Sequence, residues 1–336
     1  MLVVVGSYEQ MLLGYNISKE EGALKHDATF TDHSHSGCIK TITSSARILA
    51  SGSTDERICL FDIEEGKEEG ILCGHEGTVT RLAIYKEHLI SAAEDGTVRM
   101  WSLEDWEEIK ALKHPCPVRD FSADPSGKLL LTIANDKTLR AWDLTKGRPA
   151  FTKSFREQPE RVLWGPDGKR YALQTGANRC LIQTLEESKE KIQIDTKDRI
   201  MEIKFFSENE VAIGLSSGRV EIWRIEKGNN NRDVGVKQSD FAAHTTRIKG
   251  MDICRGILFT GDSSGIVSAW NDQGKKMMQF ETNARITCLT VSAPTDANEN
   301  ESTVDEAKTE QVSKRKQKVD KRRKSKGSQK LREDRG

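Results

Sequence analysis

Net charge is the first thing this sequence lacks. Lysine plus arginine and aspartate plus glutamate both number 52 in 336 residues. No apolar run approaches the ~20 residues of a membrane-spanning helix. The amino-terminal MLVVVGSYEQ has neither the basic flank nor the apolar length of a secretory leader. The seven cysteines (38, 59, 73, 116, 180, 254 and 288) are scattered and never form a C-x-x-C pair. That excludes the usual zinc and disulfide frameworks and points to buried, reduced thiols. The phosphate loop G-x-x-x-x-G-K-S/T, the zinc helix H-E-x-x-H and the nucleophile elbow G-x-S-x-G are also missing. Helical periodicity is weak throughout 1–293. A soluble intracellular protein with no cofactor and no enzyme motif is expected.

What the sequence does contain is repetition. The segments 3–17, 49–63, 89–103, 130–144, 171–185, 211–225 and 258–272 share one plan. Each is an apolar run, a small-residue turn and an alternating run that ends on a large residue. That last position reads Tyr15, Phe61, Trp101, Trp142, Gln183, Trp223 and Trp270, spaced by 46, 40, 41, 41, 40 and 47 residues. Shorter runs precede these at 38–43, 78–84, 117–123, 161–165, 199–205, 247–253 and 285–291. Period-two alternation with frequent turns predicts strands, and the Pro-x-Gly turns at 124–128 and 165–169 predict hairpins. The chain opens on the late strands of one repeat and reaches 291 on the early strands of another. Pairing those two halves would close a ring with no free edge at its seam.

His75, Ser91 and Asp95 are the residue types of a hydrolase triad. A structural alternative is a buried relay from the Trp101 indole through Ser91 and His75 to Asp95, which satisfies each polar group. Repetition favours the relay. His35, Ser51 and Asp55 recur with Phe61, and His114, Thr132 and Asp136 recur with Trp142. A catalytic site is needed once, whereas a staple is useful in every unit. In later repeats the staple decays: Ser264 and Ser217 stand where Asp is expected, and the Gln183 repeat has neither Asp nor Trp. Those units are expected to rely on apolar packing.

Gly74-His75, Asp95, Trp101 and Trp142-Asp143 resemble the WD-repeat signature over 1–293. The resemblance implies an all-β, seven-bladed WD-repeat β-propeller closed by its N- and C-terminal strands. Overall layout, including the degenerate fourth repeat and the Lys/Arg-rich end, is similar to the PAK-interacting-protein (MAK-type) family. That likeness implies a non-catalytic scaffold in large ribosomal subunit (pre-60S) assembly and rRNA maturation, in the nucleus and nucleolus. Its partners would be assembly factors or ribosomal proteins of the large subunit, bound by a monomer inside a larger particle, away from any membrane. The alternative it implies is an adaptor that binds and restrains a PAK-type kinase.

Two surfaces look functional. The residue two or three places after each usual His sits at one propeller rim and reads Cys38, Thr78, Pro117, Arg161, Arg199, Arg247 and Arg285. Four arginines from consecutive blades, extended by Arg219, would form a one-sided arc suited to phosphate or carboxylate. The competing reading is local pairing with Glu160, Asp198 or Asp240. Residues 294–336 hold thirteen basic and nine acidic residues, net +4, which leaves 1–293 at −4. This segment has little to bury and is expected to be disordered. Its clusters Lys314, Arg315, Lys316 and Lys321, Arg322, Arg323, Lys324 read as a nuclear or nucleolar signal and a contact to pre-rRNA phosphate. Without interleaved aromatics, base-specific reading is not expected. The stretch 226–239 reads as a mobile surface excursion.

Overall fold

The computed structural model describes residues 1–293 except 21–22, 46, 186–190 and 229–231. The described residues form twenty-eight strands, β1–β28 in chain order, and no helix. They assemble into seven four-stranded antiparallel sheets, the blades. Six blades use consecutive strands: β4–β7 within 39–72, β8–β11 within 79–113, β12–β15 within 118–154, β16–β19 within 159–195, β20–β23 within 200–242 and β24–β27 within 248–281. The seventh combines the last strand with the first three, of which the outermost, β3, is Ala23–Asp32. In it β1 (Leu2–Ser7) pairs with both β2 (Leu12–Glu20) and β28 (Ile286–Ser292). Leu2 faces Ser292 and Val5 faces Leu289, so the ring closes through the composite blade that the repeat order predicts.

The core does not sit at the ring centre. Seven apolar clusters form, and the blades pack on one another through them. One joins Ile90, Val98 and Leu112 of the second blade to Val118, Leu130 and Trp142 of the third. Another joins Val4 and Leu12 of the closing blade to Ile39, Leu49 and Phe61 of the first. Alternating residues from both faces of each sheet are therefore buried, which is why the middle strands read as nearly continuous apolar runs.

Glycine matters at turns inside a blade, where the loop leading to the next blade packs closely. Gly96 and Gly218 both have φ of +80°, a region that side chains rarely adopt. A Cβ on Gly218 would lie 2.3 Å from the His244 carbonyl oxygen. That carbonyl belongs to the loop whose N–H groups, at Ala243 and His244, donate back to Gly218.

One expectation is overturned. Residues 226–239 are largely a hairpin: β22 (Arg219–Lys227) and β23 (Asp233–Ala242) pair from Arg219–Ala242 out to Lys227–Asp233. Ile225, Val234 and Val236 alternate with polar residues along the two strands. Counting composition over the whole stretch hid that alternation.

Candidate partner-binding rim and channel

The triad-like residues are staples, and the second blade shows why. The Trp101 indole N–H donates to Ser91 Oγ (2.8 Å), and Ser91 Oγ lies 2.8 Å from His75 Nε2. His75 Nδ1 lies 2.9 Å from Asp95, whose carboxylate also accepts the Glu76 and Thr97 N–H groups. One assignment satisfies every group: Ser91 O–H donates to a neutral His75, which donates to Asp95. Burial first, outweighing the Asp95 contact, holds the His75 pKa below its usual value. Ser91 is fully buried, and both its proton and its lone pair are engaged. It cannot reach a substrate. The first blade repeats the geometry, with His35 2.9 Å from both Asp55 and Ser51; Phe61 stacks on Phe30 instead of donating.

The third blade differs. Trp142 donates to Thr132 (2.9 Å), yet His114 bonds to neither Thr132 nor Asp136. Arg140 takes Asp136 at 2.7 Å and places its guanidinium 3.3 Å from His114 Nδ1. The cause lies one strand away. In the second blade the equivalent Arg99 pairs with Glu108, which stands opposite Trp101; Pro149 holds that position opposite Trp142. Deprived of an outer carboxylate, Arg140 takes the staple's own. His114 Nε2 is left without a partner among the described residues, and the ring packs edge-on against Trp142. Burial first, and then the Arg140 charge, push the His114 pKa down to about 4.

A pH prediction follows. Between pH 7 and 5 the unfolded chain protonates His114 while the native chain does not, so stability falls by about 2 kcal/mol from this residue. His114→Phe is expected to be within about 1 kcal/mol of wild type at pH 7 and to show a correspondingly smaller loss at pH 5. Urea unfolding at the two pH values checks it, and an unchanged pH dependence would refute the assignment.

In the sixth blade the expected missing carboxylate is present two residues early. Asp262, fully buried, accepts from Thr246, Ser264 and Ile266 and lies 3.5 Å from His244 Nδ1. His244 Nε2 and Trp270 meet at Thr260. In the fifth, Trp223 donates to buried Glu221, which Lys237 also contacts while lying over the indole ring. The later blades thus keep polar staples in altered form. In the fourth, the Gln174 amide instead donates to backbone carbonyls of Gly176 and Ile200.

The rim position can be read from one recurring backbone bond. The carbonyls of Cys38, Thr78, Pro117, Gln158, Arg199, Arg247 and Arg285 accept N–H groups from Thr54, Glu94, Asn135, Gly176, Ser216, Ser263 and Tyr8. Gln158, not Arg161, therefore holds the fourth blade's place. The inner strand there, β16 (Pro159–Trp164), begins on a proline. Proline lacks the N–H of a strand residue but is tolerated at a strand's first position, so the strand begins two residues before Arg161. Arg161 lies deeper, in the channel wall.

Most of the proposed arc is neutralised. Arg161 pairs with Glu202 (2.9 Å), Arg199 with Glu160 (2.6 Å) and Arg285 with Glu9 (2.8 Å). Arg285 also lies over the exposed Tyr8 ring, 4.1 Å from its centroid. Arg219 sits on β22, two strands out from the channel, and pairs with Asp240 at 2.6 Å. Arg247 alone of the five has no carboxylate partner among the described residues. The pairing with Asp198 is not formed.

The seven inner strands enclose a channel of about 470 Å³. Its wall is polar because each inner strand turns edge groups toward its neighbour, and side chains answer them. Asp120 accepts the Val162 N–H (3.0 Å), Thr41 that of Leu82 (3.0 Å) and Asp252 that of Val291 (2.9 Å). Ion pairs add to this: Arg81 with Asp120 (3.3 Å) and Lys204 with Asp252 (3.0 Å). The basic clusters Lys314–Lys316 and Lys321–Lys324 lie outside the described residues. No group of three or more His, Cys, Asp or Glu suited to a metal occurs among the described ones.

Comparison with known proteins is consistent along the chain. A family model described as the second β-propeller of WDR19 matches residues 3–173. A p21-activated protein kinase-interacting protein 1-like protein from Danio rerio is 34% identical over 88% of this chain and 82% of its own length. Protein MAK11 of Saccharomyces cerevisiae is 26% identical, over 86% of this chain and 82% of its own. Among solved structures, a chain of a mitotic checkpoint complex superposes with a TM-score of 0.65 at 19% identity. It covers 78% of this chain and 81% of its own, and shows the fold alone.

Proposed function

Since the chain belongs to the p21-activated protein kinase-interacting protein family of WD-repeat propellers, we propose that it is a non-catalytic docking ring in pre-60S assembly and rRNA maturation in the nucleolus. The observation that supports this best is the division of labour among its polar residues. Those repeated in several blades are mostly buried and hydrogen-bonded inside their own blade, completely so in the second. Those that differ from blade to blade line the rim and channel. A closed ring of this kind offers several modest contacts at once, and specificity comes from their sum. In this reading the ring docks assembly factors or ribosomal proteins as a monomer inside a larger particle. The segment 314–324 adds nuclear import and weak, sequence-independent affinity for pre-rRNA.

The names of the relatives favour a second reading, an adaptor that binds a PAK-type kinase and, in this reading, restrains it. One experiment separates the two. Replacing the basic residues of 314–324 by glutamine is expected to disperse a nucleolar pool of tagged protein and to lower the large-subunit RNA purifying with it. A cytoplasmic protein that purifies with a kinase and without pre-ribosomal RNA, whatever the state of 314–324, would favour the adaptor.

A further inference from the structure

Each carboxylate lining the channel is already taken: Asp120 by Arg81, Glu160 by Arg199, Glu202 by Arg161 and Asp252 by Lys204. Three lining cations are left over. Arg119 reaches only the neutral amide oxygen of Asn135, and neither Lys40 nor Lys249 has a carboxylate partner among the described residues. These three share one place in their strands. Inner-strand pairing shifts by one residue between Ile39 and Thr41, between Val118 and Asp120, and between Ile248 and Gly250. Lys40, Arg119 and Lys249 are the extra residues at those shifts. A bulged residue is released from the ladder and its side chain is re-aimed, here into the channel mouth.

The charges reinforce one another. Lys249 is half-buried, and Arg247 lies two residues before it, just outside the strand. Burial first, then the Arg247 and Lys40 charges, hold the Lys249 ammonium pKa below its ordinary value. Gathered cations with no counter-charge cost stability, and a bound anion would offset that cost. We propose that the channel mouth is a binding site for a compact small molecule carrying several phosphate groups. Lys40, Lys249 and Arg247 hold it from the first and sixth blades, and Arg119 from the third.

The arrangement selects the ligand class. The cations ring an opening instead of following a groove, so the ligand must present charge in several directions. An extended acidic segment does that poorly. Among the described residues no aromatic side chain lines the channel, so none of them offers a nucleobase a face to stack on. The cavity volume falls within the range of roughly 300–1,000 Å³ typical of small-molecule sites. The site is independent of which macromolecule the outer rim docks.

Inositol hexakisphosphate is a suitable probe for calorimetry and thermal unfolding of the full chain at 0.15 M salt. Saturable binding and a raised unfolding temperature are expected. Lys40→Gln with Lys249→Gln should weaken binding by about tenfold or more, since charge-assisted contacts are lost. The same pair should unfold at or above the wild-type temperature without ligand, because repulsion is relieved. That combination separates a ligand site from a structural role. Arg247→Gln, at an exposed position, gives a second test that does not touch a strand. Arg219→Gln, whose partner is Asp240, should leave affinity unchanged within about twofold. Binding that ignores Lys40, Lys249 and Arg247 would place the probe on the 314–324 clusters and overturn the proposal. So would absence of saturable binding, or equal affinity for a linear hexaglutamate peptide.

Discussion

Deleting residues 1–7 is expected to abolish cooperative folding of the propeller. The segment is β1, which lies between β28 and β2 in the closing sheet. Its Val3, Val4 and Val5 are fully buried, and their side chains contribute about 1.5–3 kcal/mol each by burial alone. Their sum rivals the whole stability of a typical domain, about 5–15 kcal/mol. Deletion would also expose two raw strand edges, at β28 and β2, that invite association. A milder variant makes the same point. Val4→Asp places a carboxylate among Leu12, Ile39, Leu49 and Phe61, where an unpaired charge is not tolerated. Ile109→Asp, on an outer strand and half-exposed, is the control and should change stability by less than about 0.5 kcal/mol. Urea unfolding followed by tryptophan fluorescence reads all three. Equal midpoints for Val4→Asp and Ile109→Asp would show that the seam does not hold the ring.

The second large effect is at the staple of the second blade. Asp95→Ala removes acceptors from His75, from the Glu76 and Thr97 N–H groups and from the Thr97 hydroxyl. It leaves the buried His75 Nδ1 with only the longer 3.2 Å contact to Thr97 Oγ1, so a loss of about 2–3 kcal/mol is expected. Asp136→Ala, at the corresponding position of the third blade, should cost only about 1 kcal/mol. There the carboxylate serves Thr138 and a partly exposed Arg140, and no histidine depends on it. Equal losses at the two sites would contradict the broken relay at His114.

Acid should act on the Asp95 staple in two stages. Burial pushes the Asp95 pKa up, but hydrogen bonds from His75 and Thr97 outweigh it and hold it below the ordinary 3.8. A group so depressed contributes stability above its unfolded value and loses it as pH falls through the folded one. The lowered His75 works at higher pH, since the unfolded chain takes up its proton first, below about 6.5. Histidine therefore erodes stability before Asp95 does.

Sequence legibility followed the range of the interaction. His75, Ser91, Asp95 and Trp101 could be read as a unit because the residues fall within three consecutive strands and the loop before them. The staples of blades five and six are not legible at the expected position, because a carboxylate elsewhere in the hairpin takes its place. Glu221 sits two residues before Trp223, and Asp262 two before the expected Ser264. A search for a buried carboxylate anywhere within the hairpin could have found both. The bulge residues Lys40, Arg119 and Lys249 carried no such signal. Their special place is a shift in pairing, not a pattern of types.

By itself the sequence determined the blade, its sevenfold repetition and the closure of the ring. Each follows from local alternation, turn residues and the order of strands, which depend on neighbours a few residues apart. Only the tertiary structure decided which charges are free. Arg161 finds Glu202 and Arg199 finds Glu160 across a blade boundary, 41 and 39 residues away. Register at that boundary turns on single features such as Pro159 and the inner-strand bulges. Whether a cation is spent or available is set by the curvature that brings blades together, and periodicity along one chain does not encode it.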